Sequence, residues 1–323
     1  MLYFLSEVER EDNYFSMYNR ALRSHLTRRR IPFREIALVG SFRDQVRKLN
    51  AIPSQPEDAW LLSCAHNPVI AGAARKPGKR FGHAHDLEAG GFAPAGQKRR
   101  DPDEERALSH YDVIFVDSEW ARDLIARRYP RLSAEVVVSG FPFDREALQR
   151  VRRLPKAPNL VAFNQRFSLG RLHILEVHVA ERLASRGYQV IHLCPREALR
   201  HMVRDRESRV LYRQGQMRGL NFVINDTKAE YYANLSRARV LVTTSAADTL
   251  SVGTLEAAAL GVTPLAPRWG PFPEYLPREH LYPPYNVERL LQLVADPPGC
   301  RVEADAHTPE RVFDIYLEHM EVT

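Results

Sequence analysis

The stretch VLVTTSAADTLSVGTLEAAALGVTPLAP, residues 240–267, constrains the fold more than any other part of the chain. Val240 to Thr244 reads as a buried strand, followed by a polar turn and a helix from about Val252 to Leu260. Gly261 supplies the left-handed stop that helices favour, and Thr263 to Ala266 makes a second strand. A helix between two strands is a crossover, so the strands run parallel. Their apolar residues do not alternate with polar ones, which places both strands in a sheet covered by helices on each face.

The same alternation runs through the rest of the chain. Leu2 to Leu5, Phe33 to Val39, Trp60 to Cys64, Lys79 to Ala84, Val113 to Val116 and Glu135 to Val138 read as strands. Helical patterns lie between them at Asn13 to Arg30, Ser41 to Leu49, Asp103 to Ser109 and Glu119 to Arg128, the last capped by Ser118. A basic, proline-containing segment from Gly140 to Pro158 reads as a linker. Beyond it lies a second series: strands Leu160 to Phe163, Val190 to Leu193 and Asn221 to Ile224, with helices Leu172 to Arg186 and Lys228 to Ser236. With 323 residues and 44% hydrophobic content, the chain can fill two cores. The expected fold is α/β: two Rossmann-like doubly wound domains, residues 1–150 and 151–305, facing across a cleft. A last helix, Pro309 to Met320 within residues 306–323, is free to cross back to the first domain.

Charge is uneven along the chain. Residues 1–156 carry 27 Lys and Arg against 21 Asp and Glu, whereas residues 157–323 carry 19 of each. Arg28-Arg29-Arg30, Arg75 to Arg80, Lys98-Arg99-Arg100 and Arg150 to Lys156 hold most of the excess. Two readings stand side by side: solvated surface charge, or a basic N-terminal half that meets DNA, RNA or an anionic lipid surface. Three scattered cysteines without metal spacing fit a reducing, cytoplasmic setting. The apolar run at the N-terminus is too short for a signal peptide, and no 18-residue apolar span occurs.

Chemistry concentrates around the opening stretch. Asp248 and Glu256 flank the turn and the helix start, and the backbone N–H groups of Leu250, Ser251 and Val252 fall at that helix's N-terminus. Unpaired donors and the helix dipole favour an anion there. Arg166 and Arg171 lie at the end of one strand and the head of the next helix, where two guanidinium forks suit a diphosphate. Carboxylates for hydroxyls, with donors for phosphates between them, describe a nucleotide-sugar site. In the first half, His83 and His85 alternate on one strand and Asp86 comes next. His-x-His is half of a metal site, but no downstream His/Asp set completing it is evident in the sequence. Walker A, G-x-G-x-x-G and G-x-S-x-G patterns are missing, which disfavours ATPase, dinucleotide and hydrolase readings.

Over residues 158–280 the chain resembles the donor domain of GT-B glycosyltransferases, in particular the retaining family 4. That family carries an Arg-x4-Lys pair and a Glu-x7-Glu motif ending in LEA-x-A-x-G-x-P. Here stand Arg166-x4-Arg171 and Asp248-x7-Glu256, then Ala257 to Gly261 and Pro264, and Gly140-Phe141-Pro142 resembles the interdomain crossover. The resemblance implies that Glu256 holds the ribose hydroxyls and that Asp248 contacts sugar hydroxyls. It gives the Thr249, Leu250, Ser251 and Val252 amides to sugar and phosphate, and Arg166 and Arg171 to the departing diphosphate. His85 matches a histidine that faces the donor sugar, and Asn13 is a weaker acceptor-side candidate. Asp248 departs from the family's Glu by one methylene, Arg171 departs from its Lys in geometry, and Ser6 to Asp12 lacks the glycines common after the first strand.

These residues and the resemblance together lead to the expectation of a retaining, metal-independent glycosyltransferase without a cofactor, using a nucleotide-diphosphate-sugar as co-substrate. The acceptor hydroxyl would attack from the face the diphosphate leaves, with a diphosphate oxygen taking the proton. The basic half suggests a hydroxylated nucleobase in DNA or tRNA as acceptor, with a glycan or lipid-linked acceptor as the alternative. A non-catalytic nucleotide- or nucleic-acid-binding module and a sugar-nucleotide epimerase are the other readings of the same residues.

Overall fold

The computed structural model describes residues 1–7, 14–65, 67, 69, 76–85, 87, 102–143, 145, 148, 150–165, 172–204, 206–245, 248–300, 302 and 307–321. Among these, residues 1–143 and 307–321 make one compact unit and residues 145–302 make another. The first unit holds β1 (Leu2–Glu7), β2 (Phe33–Leu38), β3 (Ala59–Leu62), β4 (Lys79–Ala84), β5 (Val113–Val116) and β6 (Glu135–Val138). They form one sheet in the order β2-β1-β3-β4-β5-β6, and every neighbouring pair is parallel. β3 and β5 are buried along their whole length, as strands covered on both faces must be.

The second unit holds β7 (Leu160–Phe163), β8 (Gln189–Pro195), β9 (Leu220–Asn225), β10 (Val240–Val242), β11 (Thr263–Pro267) and β12 (Leu281–Tyr282). Its sheet runs β12-β11-β10-β7-β8-β9, again parallel throughout. The chain therefore builds outward from β7 to β9, then returns to place β10 on β7's other side. Strand order reverses between β7 and β10, and the carboxyl ends of those two strands are where a doubly wound sheet leaves a crevice. In the first sheet the reversal falls between β1 and β3.

Local chemistry explains the element ends. Ser41, Ser118, Thr227, Asn286 and Thr308 each turn a side-chain oxygen onto a backbone N–H of the helix they precede. Ser41 and Asp44 complete a capping box. Gly261, at φ 69°, ends helix Val252–Ala259 as its sequence suggests. Helices Arg196–Arg204, Arg206–Met217 and Val287–Ala295 are additions to the elements expected from the sequence. The first two carry six arginines between them, which lower their average hydrophobicity although each keeps an apolar face.

Two features depart from a simple cut of the chain after residue 150. The division lies at residues 143–144, and the segment beyond it is tied to the second unit. Arg153 donates to the Ala259 carbonyl at 3.2 Å, Leu154 N to Ser236 Oγ at 3.0 Å, and Lys156 Nζ to the Ala238 carbonyl at 2.9 Å. Helix Pro309–Met320 belongs to the first unit. It buries Phe313 against Tyr18 at 5.7 Å and stacks Tyr316 on Phe115 at 3.8 Å. Full burial of each aromatic ring contributes roughly 1.5–3 kcal/mol.

That helix also changes the charge reading. Arg28 pairs with Glu310 at 2.7 Å, Arg29 with Asp314 at 2.5 Å, and Lys79 with Glu321 at 2.7 Å. Residues 1–143 hold 22 Lys and Arg against 19 Asp and Glu, and residues 305–323 hold one against five, so the first unit is −1 overall. Residues 144–304 hold 23 against 16, a net of +7. The excess positive charge belongs to the second unit, because the chain's acidic tail folds onto its basic head.

Candidate functional site

The expected donor-site residues that the structure describes follow β10, one of the two strands at the reversal. Beyond β7 come Asn164 and Gln165; beyond β10 come Thr243, Thr244 and Ser245, all three buried. Gln165 donates through Nε2 to Thr243 Oγ1, joining the two strand ends. Asp248, Thr249, Leu250 and Ser251 are buried and Val252 is half-buried, so residues 248–252 are packed. Arg166 and Arg171 lie outside the described residues, as does Asn13.

Helix Val252–Ala259 starts at Ser251, whose side chain makes no cap bond. Instead Thr254 Oγ1 donates to the Ser251 carbonyl at 2.6 Å, and the Tyr275 hydroxyl lies 2.9 Å from that Oγ1. Tyr275 also hydrogen-bonds the Ser251 backbone, so this tyrosine shares the helix end expected to seat an anion. Burial is the main cause that pushes its phenol well above the ordinary range. Gly253 leaves room for the Asn164 side chain. A Cβ there would come 2.1 Å from Asn164 Nδ2, and that nitrogen is held by a 2.7 Å bond to the Tyr231 hydroxyl.

Glu256 is buried and paired. It is 2% exposed, and its Oε1 accepts from Lys228 Nζ at 2.7 Å and from the Tyr232 hydroxyl at 3.0 Å. The Lys228 ammonium also sits over the Tyr231 and Tyr232 rings, 4.7 and 5.0 Å from their centroids. Burial, and next the Glu256 charge, raise the Tyr231 phenol well above its usual value. A buried carboxylate needs such partners, because desolvation otherwise drives it neutral. Lys228, Tyr231, Tyr232 and Asn164 carry no motif that marks them in the sequence. The one local sign is Thr227 three residues ahead of Glu230, which caps the helix on which Lys228 is the first residue.

In the first unit, His83 and His85 lie at the carboxyl end of β4, and Asp117 comes after β5 beside them. Asp117 is the acidic partner missing from the sequence reading. It comes from the neighbouring strand, so no spacing rule finds it. Its Oδ1 is 3.0 Å from His83 Nε2, and its Oδ2 pairs with His85 Nδ1. The other His83 nitrogen meets the Tyr316 hydroxyl at 2.5 Å. Burial alone would raise the Asp117 pKa, but the two imidazoles outweigh it and hold the carboxyl below the usual range. His85 is the partly exposed member of this buried set. Asp86 lies outside the described residues.

No protein-family model and no curated protein sequence matches this chain. Solved structures do. A sucrose-phosphate synthase from Thermosynechococcus elongatus superposes with a TM-score of 0.70 at 16% identity, over 99% of this chain and 96% of that one. A UDP-forming α,α-trehalose-phosphate synthase from Burkholderia xenovorans, in complex with glucose-6-phosphate, gives 0.65 at 10% identity over 87% and 77%. The fold is that of the GT-B glycosyltransferases. A pneumococcal O-GlcNAc transferase in complex with UDP and GlcNAc shares it at a TM-score of 0.55 and 10% identity, over 86% of this chain and 59% of that one. Among the described residues no helix is long and apolar enough to cross a membrane.

Proposed function

We propose that the chain is a retaining glycosyltransferase that moves a sugar from a nucleotide-diphosphate-sugar to an acceptor hydroxyl. One observation supports this reading: Asp248, the 249–252 turn and Glu256 follow β10, one of the two strands at the strand-order reversal of the second sheet, on a fold shared with sugar-transferring enzymes. Glu256 takes the ribose hydroxyls, the turn amides take sugar and phosphate, and Asp248 takes a sugar hydroxyl. Arg166 and Arg171 supply the positive charge that the leaving diphosphate needs as its charge grows, so no metal is required at that position. The acceptor hydroxyl attacks on the face the diphosphate leaves, and a diphosphate oxygen accepts its proton. His85, joined to Asp117, is the further residue proposed to take part in catalysis.

For the acceptor, a small hydroxylated sugar or sugar phosphate fits better than a nucleobase in DNA or tRNA. The nucleic-acid reading depends on a basic first domain, and the folded first unit has a net charge of −1. Nucleic acid at that unit would have to overcome this charge. A sucrose-phosphate synthase and a trehalose-phosphate synthase in complex with glucose-6-phosphate share this fold, which favours a phosphorylated sugar.

The test is a panel of UDP-, GDP- and ADP-sugars incubated with glucose-6-phosphate, fructose-6-phosphate and hydroxymethylated DNA, read by mass spectrometry. Transfer to a sugar phosphate supports the reading. Transfer to DNA alone keeps the transferase and replaces the acceptor. A folded protein that binds no nucleoside diphosphate overturns both, and one that binds without any turnover is a binding module. Conversion of the donor without an acceptor points to an epimerase.

A further inference from the structure

At the outer edge of the second sheet, beside β12, lies an open groove of about 690 Å³ that no residue of the proposed donor site lines. Small-molecule sites run from roughly 300 to 1,000 Å³, so a sugar phosphate or a nucleotide fits its size. Arg268, Arg278 and Arg289 line it from three separate elements. Arg268 follows β11, Arg278 opens the 3-10 turn Arg278–His280, and Arg289 lies in the first turn of helix Val287–Ala295. The side chains are exposed, but each is mounted on fixed backbone. Arg268 N donates to the Tyr282 carbonyl at 2.7 Å. Buried His280, at the end of the turn, sets its ring nitrogens 2.8 and 3.0 Å from the Pro264 and Gly299 carbonyl oxygens. The helix is anchored by Leu290, Leu291, Leu293 and Val294, all buried.

Charge in the groove is out of balance. Glu279 and Glu288 also line it. Glu288 is already engaged by Arg182 and Arg186, and the Arg182 hydrogen bond is the main cause that holds its carboxyl below the usual range. Among the described residues Arg268, Arg278 and Arg289 pair with no carboxylate, and the Arg289 guanidinium donates to the neutral Gln292 Oε1 at 3.2 Å. Five guanidiniums therefore stand against two carboxylates. A guanidinium cannot relieve such an imbalance by losing its proton, so an anion must supply the balance. Forks approaching from three elements suit a tetrahedral phosphate, which offers more acceptor oxygens than the two of a carboxylate.

We propose that this groove binds a small phosphate-bearing molecule, a phosphate ester or a diphosphate, at a site separate from the donor residues 248–256. Arg268, Arg278 and Arg289 supply the charge-assisted hydrogen bonds, and Glu279 opposes binding by its charge. The site does not rest on the transferase reading.

Hydrogen–deuterium exchange of the full-length protein, at matched ionic strength, tests this with inorganic phosphate, diphosphate, glucose-6-phosphate and UDP as probes. Expected is slower exchange across residues 278–292 with diphosphate and with glucose-6-phosphate. The Arg268→Ala/Arg278→Ala double variant, folded by its Tm, should lose this protection and weaken diphosphate binding there by at least about 10-fold. Arg278→Lys, which keeps the charge and loses the fork, should fall between the two. Glu279→Gln should tighten binding severalfold. Glu256→Gln should leave protection of 278–292 unchanged, so failure of the donor site and failure of the groove are read separately. Stronger protection by glucose-6-phosphate and UDP than by the inorganic anions supports an organic phosphate as ligand, and equal protection supports the free anion. No slowing over 278–292 with any probe overturns the proposal, as does slowing that survives in the double variant.

Discussion

Substituting Glu256→Gln tests the proposed donor site at its buried, paired carboxylate. Glutamine keeps the shape but removes the charge that faces Lys228 Nζ at 2.7 Å and Tyr232 at 3.0 Å. Lys228 is 29% exposed, so its ammonium can turn toward water, and the stability loss should stay near 1–2 kcal/mol rather than the 3–5 of a fully buried broken pair. Binding should suffer more specifically. A hydroxyl hydrogen-bonded to a carboxylate contributes about 1.5–3 kcal/mol, and losing it costs roughly 10- to 150-fold in Kd. Isothermal titration with UDP, GDP and ADP measures this, with inorganic diphosphate as a control that has no ribose. The expected result is weaker nucleoside diphosphate binding with diphosphate affinity changed less than threefold. Equal losses for both ligands would show that Glu256 acts only through the field at the helix, and no loss at all in a folded variant would refute the assignment.

The same geometry carries other outcomes. Gly253→Ala should displace Asn164 from the Tyr231 hydroxyl, costing about 1–2 kcal/mol in urea unfolding and loosening nucleotide binding, whereas Gly261→Ala should cost stability alone. Asp117→Asn removes a fully buried charge that lies against two imidazoles. It should lower stability by roughly 3 kcal/mol, a Tm drop of about 6–12 °C for a unit of this size, and an unchanged melt would refute the pairing. Acid should weaken the first unit in two windows. His307 accepts a bond from Phe141 N, and burial lowers its pKa, so the unfolded chain takes up its proton first. Its contribution is complete above about pH 6.5 and fades as pH falls, by at most about 1.4 kcal/mol per unit. His307→Asn should flatten that slope in urea titrations between pH 7 and 5. The depressed Asp117 acts lower, its contribution lost only as pH falls below the ordinary carboxylate range.

Much of the fold was legible because its signals are local. Four-residue apolar strands, serine and threonine caps and the Gly261 stop are set by neighbouring residues, so β4 at Lys79–Ala84 and helix Pro309–Met320 lie where the sequence puts them. The order of Asp248, the turn and Glu256 was readable in the same way. Periodicity and spacing, though, say nothing of partners far along the chain. Lys228 reaches Glu256 across 28 positions, Asp117 joins His85 across 32, and Tyr316 meets His83 across 233. Charge shows the gap most plainly. The sequence displays a basic first half, and tertiary structure cancels it by folding an acidic helix onto Arg28 and Arg29, because Coulomb attraction depends on distance in space and not on position along the chain.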